Sequence, residues 1–276
     1  MISLRKTLLC ATAACCAWLP LAGGQALAAP LVGAYAERYV NGELAGTQAE
    51  SSDFAAFASV SGSGQGYGSA YSTSTGLLNV AADTHSGVAA SFFSFPAPNG
   101  AASYYSRATW EDSITNNTGQ QVLYRWLFHI ANPRLGTEGN VGDYAALAIN
   151  ISLNGSVVWS AFIEMDRCTL DYAGAGLVLG SLNDCHANFA SFDAAVDLGV
   201  FAHGSTFHLS YEMEAYANST SLDDQSYARI GDPFAPYGEA AVLEATPLGN
   251  PVPAPGSLAL LGLGIAALSL RSRQRR

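Results

Sequence analysis

Glu164-Met165-Asp166 places two carboxylates two residues apart, and on an extended strand such a pair points to the same side. Two carboxylates flanking a sugar are the usual machinery of glycoside hydrolysis, one as acid and the other as nucleophile or base. Glu212 and Glu214 have the same spacing, but they alternate with Phe207, Leu209, Tyr211 and Met213, which reads as the wet face of a half-buried strand. Asp223, Asp224 and Asp232 supply hard oxygen ligands of the kind calcium takes, without the loop spacing of a defined site. Calcium is the one cofactor the residues suggest. The five histidines form no ligand set: His203 and His208 fall on opposite faces of a regular strand, and His129 reads as a half-buried sheet residue. Neither a Gly-x-Ser-x-Gly elbow nor a Walker-type loop occurs. Tyr67, Tyr71, Tyr104 and Tyr105 have rings that could stack on sugars.

Charge and cysteines narrow the compartment. Cys10, Cys15 and Cys16 lie in an N-terminal apolar segment, which leaves Cys168 and Cys185 as an even pair in the body. In an oxidising compartment they are expected to form a disulfide, stabilising the fold by roughly 3 kcal/mol on a chain-entropy estimate. Between the terminal segments six arginines face 22 Asp and Glu, a charge near −16. Such a surface repels nucleic acid and anionic lipid and suits neutral or cation-rich polysaccharide.

The elements that must position these groups are strands. Asn154-Gly155 interrupts two strand-like runs and predicts a hairpin with a two-residue type I′ turn. In that register Ile151 faces Val158, Asn150 faces Trp159 and Leu147 faces Phe162, with Leu147, Ile149, Ile151 and Leu153 on the buried side. A second hairpin is expected around residues 115–119, its second strand carrying Val122, Tyr124, Trp126, Phe128 and Ile130 on one face. Leu123, Arg125, Leu127 and His129 lie on the other, so that strand is expected to be central and covered on both sides. Further strands are expected at 31–40, 77–82, 88–95, 176–180, 196–201, 226–230 and 239–245, while 61–76 reads as a low-complexity loop or irregular edge. No long amphipathic helix is visible. The expectation is all-β: one antiparallel β-sandwich or jelly-roll-like domain over 29–246.

Both ends read as addresses. Arg5 and Lys6 precede a largely apolar run, and Ala26-Leu27-Ala28 before Ala29 has the small-x-small form of a signal cleavage site. Residues 1–28 are thus an expected signal peptide, cut between Ala28 and Ala29. At the other end, Val252-Pro253-Ala254-Pro255 sits in a Pro-rich spacer over 247–256, expected to be extended. An apolar stretch from Ser257 to Leu270 follows, then Arg271, Arg273, Arg275 and Arg276. As a helix that stretch is about 21 Å long, short of the roughly 30 Å hydrocarbon core. Its arginines would stay on the cytoplasmic side and leave the body outside.

This order resembles the PEP-CTERM sorting signal of exosortase substrates: a short Pro motif, a hydrophobic helix and an Arg-rich tail. Val252, Pro253 and Pro255 match the motif, while Ala254 stands where the family usually has Glu. The resemblance implies an exosortase-type processing enzyme as partner, transient inner-membrane anchoring through the segment 257–276, and release to the cell surface or extracellular matrix. A separate and partial likeness links Glu164 and Asp166 to the catalytic strand of the jelly-roll glucanases of family 16, whose further Glu is replaced here by Cys168 or Thr169. The leading functional expectation is a structural or adhesive component among exopolysaccharide in a biofilm. A carbohydrate-binding module and a jelly-roll glycoside hydrolase are the alternatives.

Overall fold

The computed structural model describes residues 30–40, 42–61, 66–84, 102–220, 224–230 and 241–249. The expected signal peptide, strand 88–95, residues 62–65 and the segment from 250 onward lie outside them. Numbering strands in chain order, the first layer is a seven-stranded antiparallel sheet ordered β11 (Thr169–Gly174), β10 (Ser156–Asp166), β9 (Tyr144–Leu153), β15 (Thr206–Ser219), β6 (Ala102–Thr115), β1 (Leu31–Val40) and β2 (Glu43–Ser52). A second seven-stranded sheet runs β12 (Leu179–Asn183), β13 (His186–Phe189), β8 (Arg134–Gly136), β16 (Tyr227–Ile230), β5 (Leu78–Asp83), β4 (Tyr67–Thr73) and β3 (Ala55–Ser61). Beside it stand three more strands, β14 (Phe192–Phe201), β7 (Gln121–Ile130) and β17 (Val242–Leu248).

These last two sheets form one bent layer. β7 leads into β8, and β13 into β14, across a joint at Asn132 and Ser191. Asn132 adopts φ 40°, a conformation Asn tolerates better than most residues, and its backbone N–H donates to Ser191 Oγ at 3.0 Å. The Ser191 hydroxyl donates back to Asn132 Oδ1 at 2.9 Å. Pro133, which has no N–H to offer a ladder, accepts at its carbonyl from the Phe189 N–H at 2.8 Å.

The antiparallel sandwich expected from the alternating runs is therefore the fold. Its core changes character along the layers. Under β7, Trp126 packs 4.7 Å from Trp110 and 6.1 Å from Tyr211, while Tyr124 meets Phe207 and Phe128 meets Trp159, each pair at 5.1 Å. Between β1, β3, β4 and β6 the buried residues are mostly small, among them Ala34, Ala36, Ala56, Ala58, Ala70 and Ala108. There the layers come close: a Cβ on Gly68 would lie 3.0 Å from the Tyr105 carbonyl oxygen.

Four local expectations are corrected. β6 and β7 are not a hairpin, because β6 pairs with β1 and β15 in the first layer and β7 with β14 and β17 in the second. Asn116 holds the crossing between layers, its Nδ2 donating at 2.8 Å to the carbonyls of both Gln120 and Phe201. β7 is central in its sheet but covered on one side only; its other face carries Arg125, bonded to Asp197 at 2.7 Å, and His129, bonded to Asp193 at 2.8 Å. The Gly- and Ser-rich stretch contains β4, an internal strand, because Ser69, Ala70 and Ser72 are fully buried where only small side chains fit.

The fourth correction concerns the Asn154-Gly155 hairpin. Its turn has φ of 51° and 78°, as type I′ requires, and Leu153–Ser156 and Ser152–Val157 pair as expected. A β-bulge at Val158 then shifts the register, so that Ile151 faces Trp159, Asn150 faces Ser160 and Leu147 faces Ile163. Ile163 is consequently 2% exposed and Phe162 40% exposed.

Candidate functional site

The outer face of the first layer gathers the groups that could do chemistry. On β1 the inward alanines alternate with Tyr35, Glu37 and Tyr39; on β6, Tyr104, Ser106 and Ala108 point in while Tyr105 and Arg107 point out. This period of two fixes which side chains meet across the sheet. One row runs Glu37, Tyr105, Tyr216, Ala146, Glu164, and the next Tyr39, Ser103, Asn218, Tyr144, Asp166. A third runs Tyr35, Arg107, Glu214, Ala148, Phe162.

Carboxylates hold the tyrosines in place. Tyr35 and Tyr39 both donate to Glu37, the second at 2.8 Å. The Tyr105 hydroxyl donates to Glu214, and that of Tyr144 to Glu164 Oε2 at 2.8 Å. Tyr35 and Tyr105 meet edge to face at 6.2 Å, and Tyr144 and Tyr216 lie 5.9 Å apart. The Arg107 guanidinium sits 5.8 Å from the Tyr35 ring and 3.9 Å from Glu212.

These contacts keep the phenols neutral. Burial first and then the Glu164 hydrogen bond push Tyr144 up to about 12; burial and Glu214 raise Tyr105 further. The bond to Glu37 is the main cause that raises Tyr35 and Tyr39. Burial, followed by the Glu214 charge, raises Glu212 above the ordinary carboxylate range. The result is a face of uncharged aromatic donors alternating with acceptors.

At one end of this face Glu37, Tyr39, Gly42, Ala102, Ser103, Tyr105, Tyr216 and Asn218 line an open cleft of about 530 Å³, a size typical of ligand sites. Glu164 and Asp166 share the outer face, as the hydrolase reading requires, because the bulge at Val158 turns them outward. Neither lines the cleft, where Glu37 is the one carboxylate among the described residues. Glu212 and Glu214 also point outward. Tyr104 faces the core and is 2% exposed, and Tyr67 is likewise buried. Of the anticipated stacking residues Tyr105 alone reaches the cleft; Tyr39 and Tyr216, also there, had no distinguishing local signal beyond their alternation.

A buried ion pair lies in the second layer. Asp83, fully buried, pairs with Arg229, whose guanidinium lies 5.8 Å from the Tyr67 ring and 5.4 Å from the Tyr227 ring. Among the described residues no group of three or more His, Cys, Asp or Glu could hold a metal. Of the calcium candidates Asp224 is described, and its backbone carbonyl accepts from Ser219 Oγ at 3.0 Å; Asp223 and Asp232 lie outside the described residues. Cys168 and Cys185 are disulfide-bonded.

Fold and face together define an antiparallel β-sandwich with an aromatic, carboxylate-braced outer surface. Beyond it, residues 251–276 match the PEP-CTERM protein-sorting motif. That match covers the C-terminal segment, and it implies an exported protein, sorted to the cell surface, with an exosortase as processing partner. No curated protein matches the chain.

Proposed function

We propose that the β-sandwich is a structural and adhesive component of the cell surface or extracellular matrix that holds polysaccharide against the outer face of its first layer. The carrying observation is the set of tyrosines braced by Glu37, Glu164 and Glu214 on one sheet face, two of which, Tyr39 and Tyr105, line an open cleft. Rings fixed by carboxylates present apolar faces to sugar rings at low entropic cost, while the remaining lone pairs accept sugar hydroxyls. With six arginines against 22 acids in the body, the polymer that fits is neutral or amine-bearing, not anionic. This favours the carbohydrate-binding module reading of the adhesive role. The segment 257–276 then serves as a transient inner-membrane anchor until the signal around Val252 to Pro255 is processed, and residues 1–28 direct export.

Hydrolysis is less well supported, since among the described residues the cleft offers one carboxylate where the reaction needs two across the sugar. Immobilised protein titrated with soluble neutral and amine-bearing polysaccharides tests the proposal. Tyr105→Ala and Tyr39→Ala should each weaken binding about tenfold, equivalent to about 1.4 kcal/mol, without moving the thermal midpoint of Tyr39→Ala. A blank result across a glycan array would remove the polysaccharide and leave a purely structural role. Any hydrolysis detected should vanish in Glu164→Gln if the jelly-roll hydrolase reading is right.

A further inference from the structure

The two ends of the sandwich differ in charge, and the sorting segment leaves from one of them. β17 ends at Leu248, opposite Gln121 at the start of β7, and the sorting motif match begins at residue 251. Three turns meet at this end. Asn116 donates its backbone N–H to Ser205 and accepts from Gly204, the Gly119 N–H donates to His203, and the Asn154 N–H donates to His208. Their residues, 116–120, 154–155 and 202–205, include no Asp, Glu, Lys or Arg, and neither do the strand ends beside them: Thr115, Gln121, Ser156, Phe201, Thr206 and Leu248.

The nearest exposed carboxylates are Glu111, Asp197 and Glu244, each four positions in from the ends of β6, β14 and β17, and Asp53, in the turn after β2 at the level of Glu111. That distance is about 13 Å along a strand, beyond the Debye length of about 8 Å at physiological salt. Asp197 and Glu244 are also both bonded to Arg125, at 2.7 and 3.5 Å, and Asp112, one position nearer, is buried. The opposite end carries Glu43, Glu138, Asp166 and Asp184 in or beside its turns. In a body of charge near −16, the tip of one end thus carries no exposed acid among the described residues, and those behind it stand about four positions back.

We propose that this end, with its uncharged tip, is the one that faces an anionic bilayer while the C-terminal segment is inserted, with the tyrosine cleft held at the membrane-distal end. The inference rests on the tail-insertion reading given above. The eight residues 249–256 that separate β17 from the apolar stretch span about 25 Å when extended, so an acidic body held by them and repelled by an anionic surface would turn toward it the end that carries the least charge. The cleft is lined from Tyr39, Gly42, Ala102 and Asn218, at the far ends of β1, β6 and β15. β6 has 14 residues, which places the cleft roughly 45 Å from the tip. A tethered precursor would therefore already present its cleft outward.

The test uses the full chain with Cys10, Cys15 and Cys16 replaced by Ser, reconstituted into vesicles of phosphatidylcholine and phosphatidylglycerol carrying a headgroup acceptor dye. A donor dye is attached through Asn117→Cys or through Glu43→Cys. Energy transfer should be several-fold greater from position 117 than from position 43. Equal transfer, or the reverse order, overturns the orientation while leaving the tether intact. Failure of the chain to float with the vesicles overturns the tether and the orientation with it. Introducing Asn117→Glu, Ser156→Glu and Ala202→Glu together should lower transfer from a donor on Gln121→Cys on these vesicles but not on phosphatidylcholine alone; no change on the anionic vesicles would overturn the electrostatic basis.

Discussion

The two lateral edges of the sandwich are closed by different chemistry. Where β11 and β12 lie at the margins of their layers, the Cys168–Cys185 disulfide joins the turn after β10 to the turn after β12. The Thr137 N–H donates to the Cys185 carbonyl at 3.0 Å, and its hydroxyl donates to the Arg167 carbonyl, so the same segment ties both turns. At the other margin β2 lies beside β3, and side chains do the work. Glu50 Oε2 accepts from the Phe57 N–H at 3.0 Å, Gln48 Oε1 from the Ser59 N–H at 2.9 Å, and Arg38 donates to the Ser61 carbonyl at 2.9 Å. An edge strand offers its free N–H groups to any passing chain; on β3 two of them are occupied from the neighbouring layer. One edge is locked covalently after export, while the other is shielded by reversible hydrogen bonds.

Breaking the covalent edge should have the largest effect. Cys168→Ser with Cys185→Ser is expected to cost about 3 kcal/mol, lowering the thermal midpoint by roughly 6–12 °C for a domain of this size; an unchanged midpoint would mean the hydrogen bonds of Thr137 suffice. Gly139→Ala attacks the same edge without touching sulfur. Its Cβ would lie 2.7 Å from Cys168 Sγ at a φ of +86°, so a loss of more than about 1 kcal/mol is expected in denaturant unfolding. At the reversible edge, Gln48→Ala with Glu50→Ala should cost about 1 kcal/mol or less, because both bonds are exposed to water. Its clearer signature is self-association through β3, read by light scattering.

The smallest expected effect lies between the edges and is a pH dependence. Burial raises the folded pKa of Glu212 above its ordinary 4.5, so the folded state binds more protons than the unfolded chain across that window. Stability contributed by this residue therefore falls as pH rises from the ordinary value through the folded one, and is unaffected below both. Glu212→Gln should flatten that slope in melts taken between acidic and neutral pH, whereas the edge variants should leave it unchanged.

Much of this architecture was legible from alternation. β1 occupies the expected 31–40, and β15 shows the alternation read from Phe207 to Glu214. Asn154-Gly155 made its turn visible because few residues accept two successive positive φ values. The even cysteine pair foretold its bridge, since the partner was the only other cysteine in the body. β4 escaped notice because a strand buried closely on both faces is written in Gly, Ala and Ser, the letters of a loop. Pro247, expected to open an extended spacer, lies within β17 opposite Val122, on an outer strand where a missing N–H is tolerated.

By itself the sequence determined the secondary-structure class, the disulfide pair, the acidity of the body and the sorting segment, because each depends on local alternation, count or order along the chain. Which carboxylates share a surface was decided by the tertiary structure. An unbulged hairpin would have turned Glu164 and Asp166 toward the core with Leu147 and Ala145; one extra residue at Val158 turned them out beside Tyr144. The pairing of β6 with β15 likewise brought Tyr105 to Glu214 across more than a hundred residues. Both outcomes depend on backbone register, which is set by how two layers fill the space between them, a property no window of sequence contains.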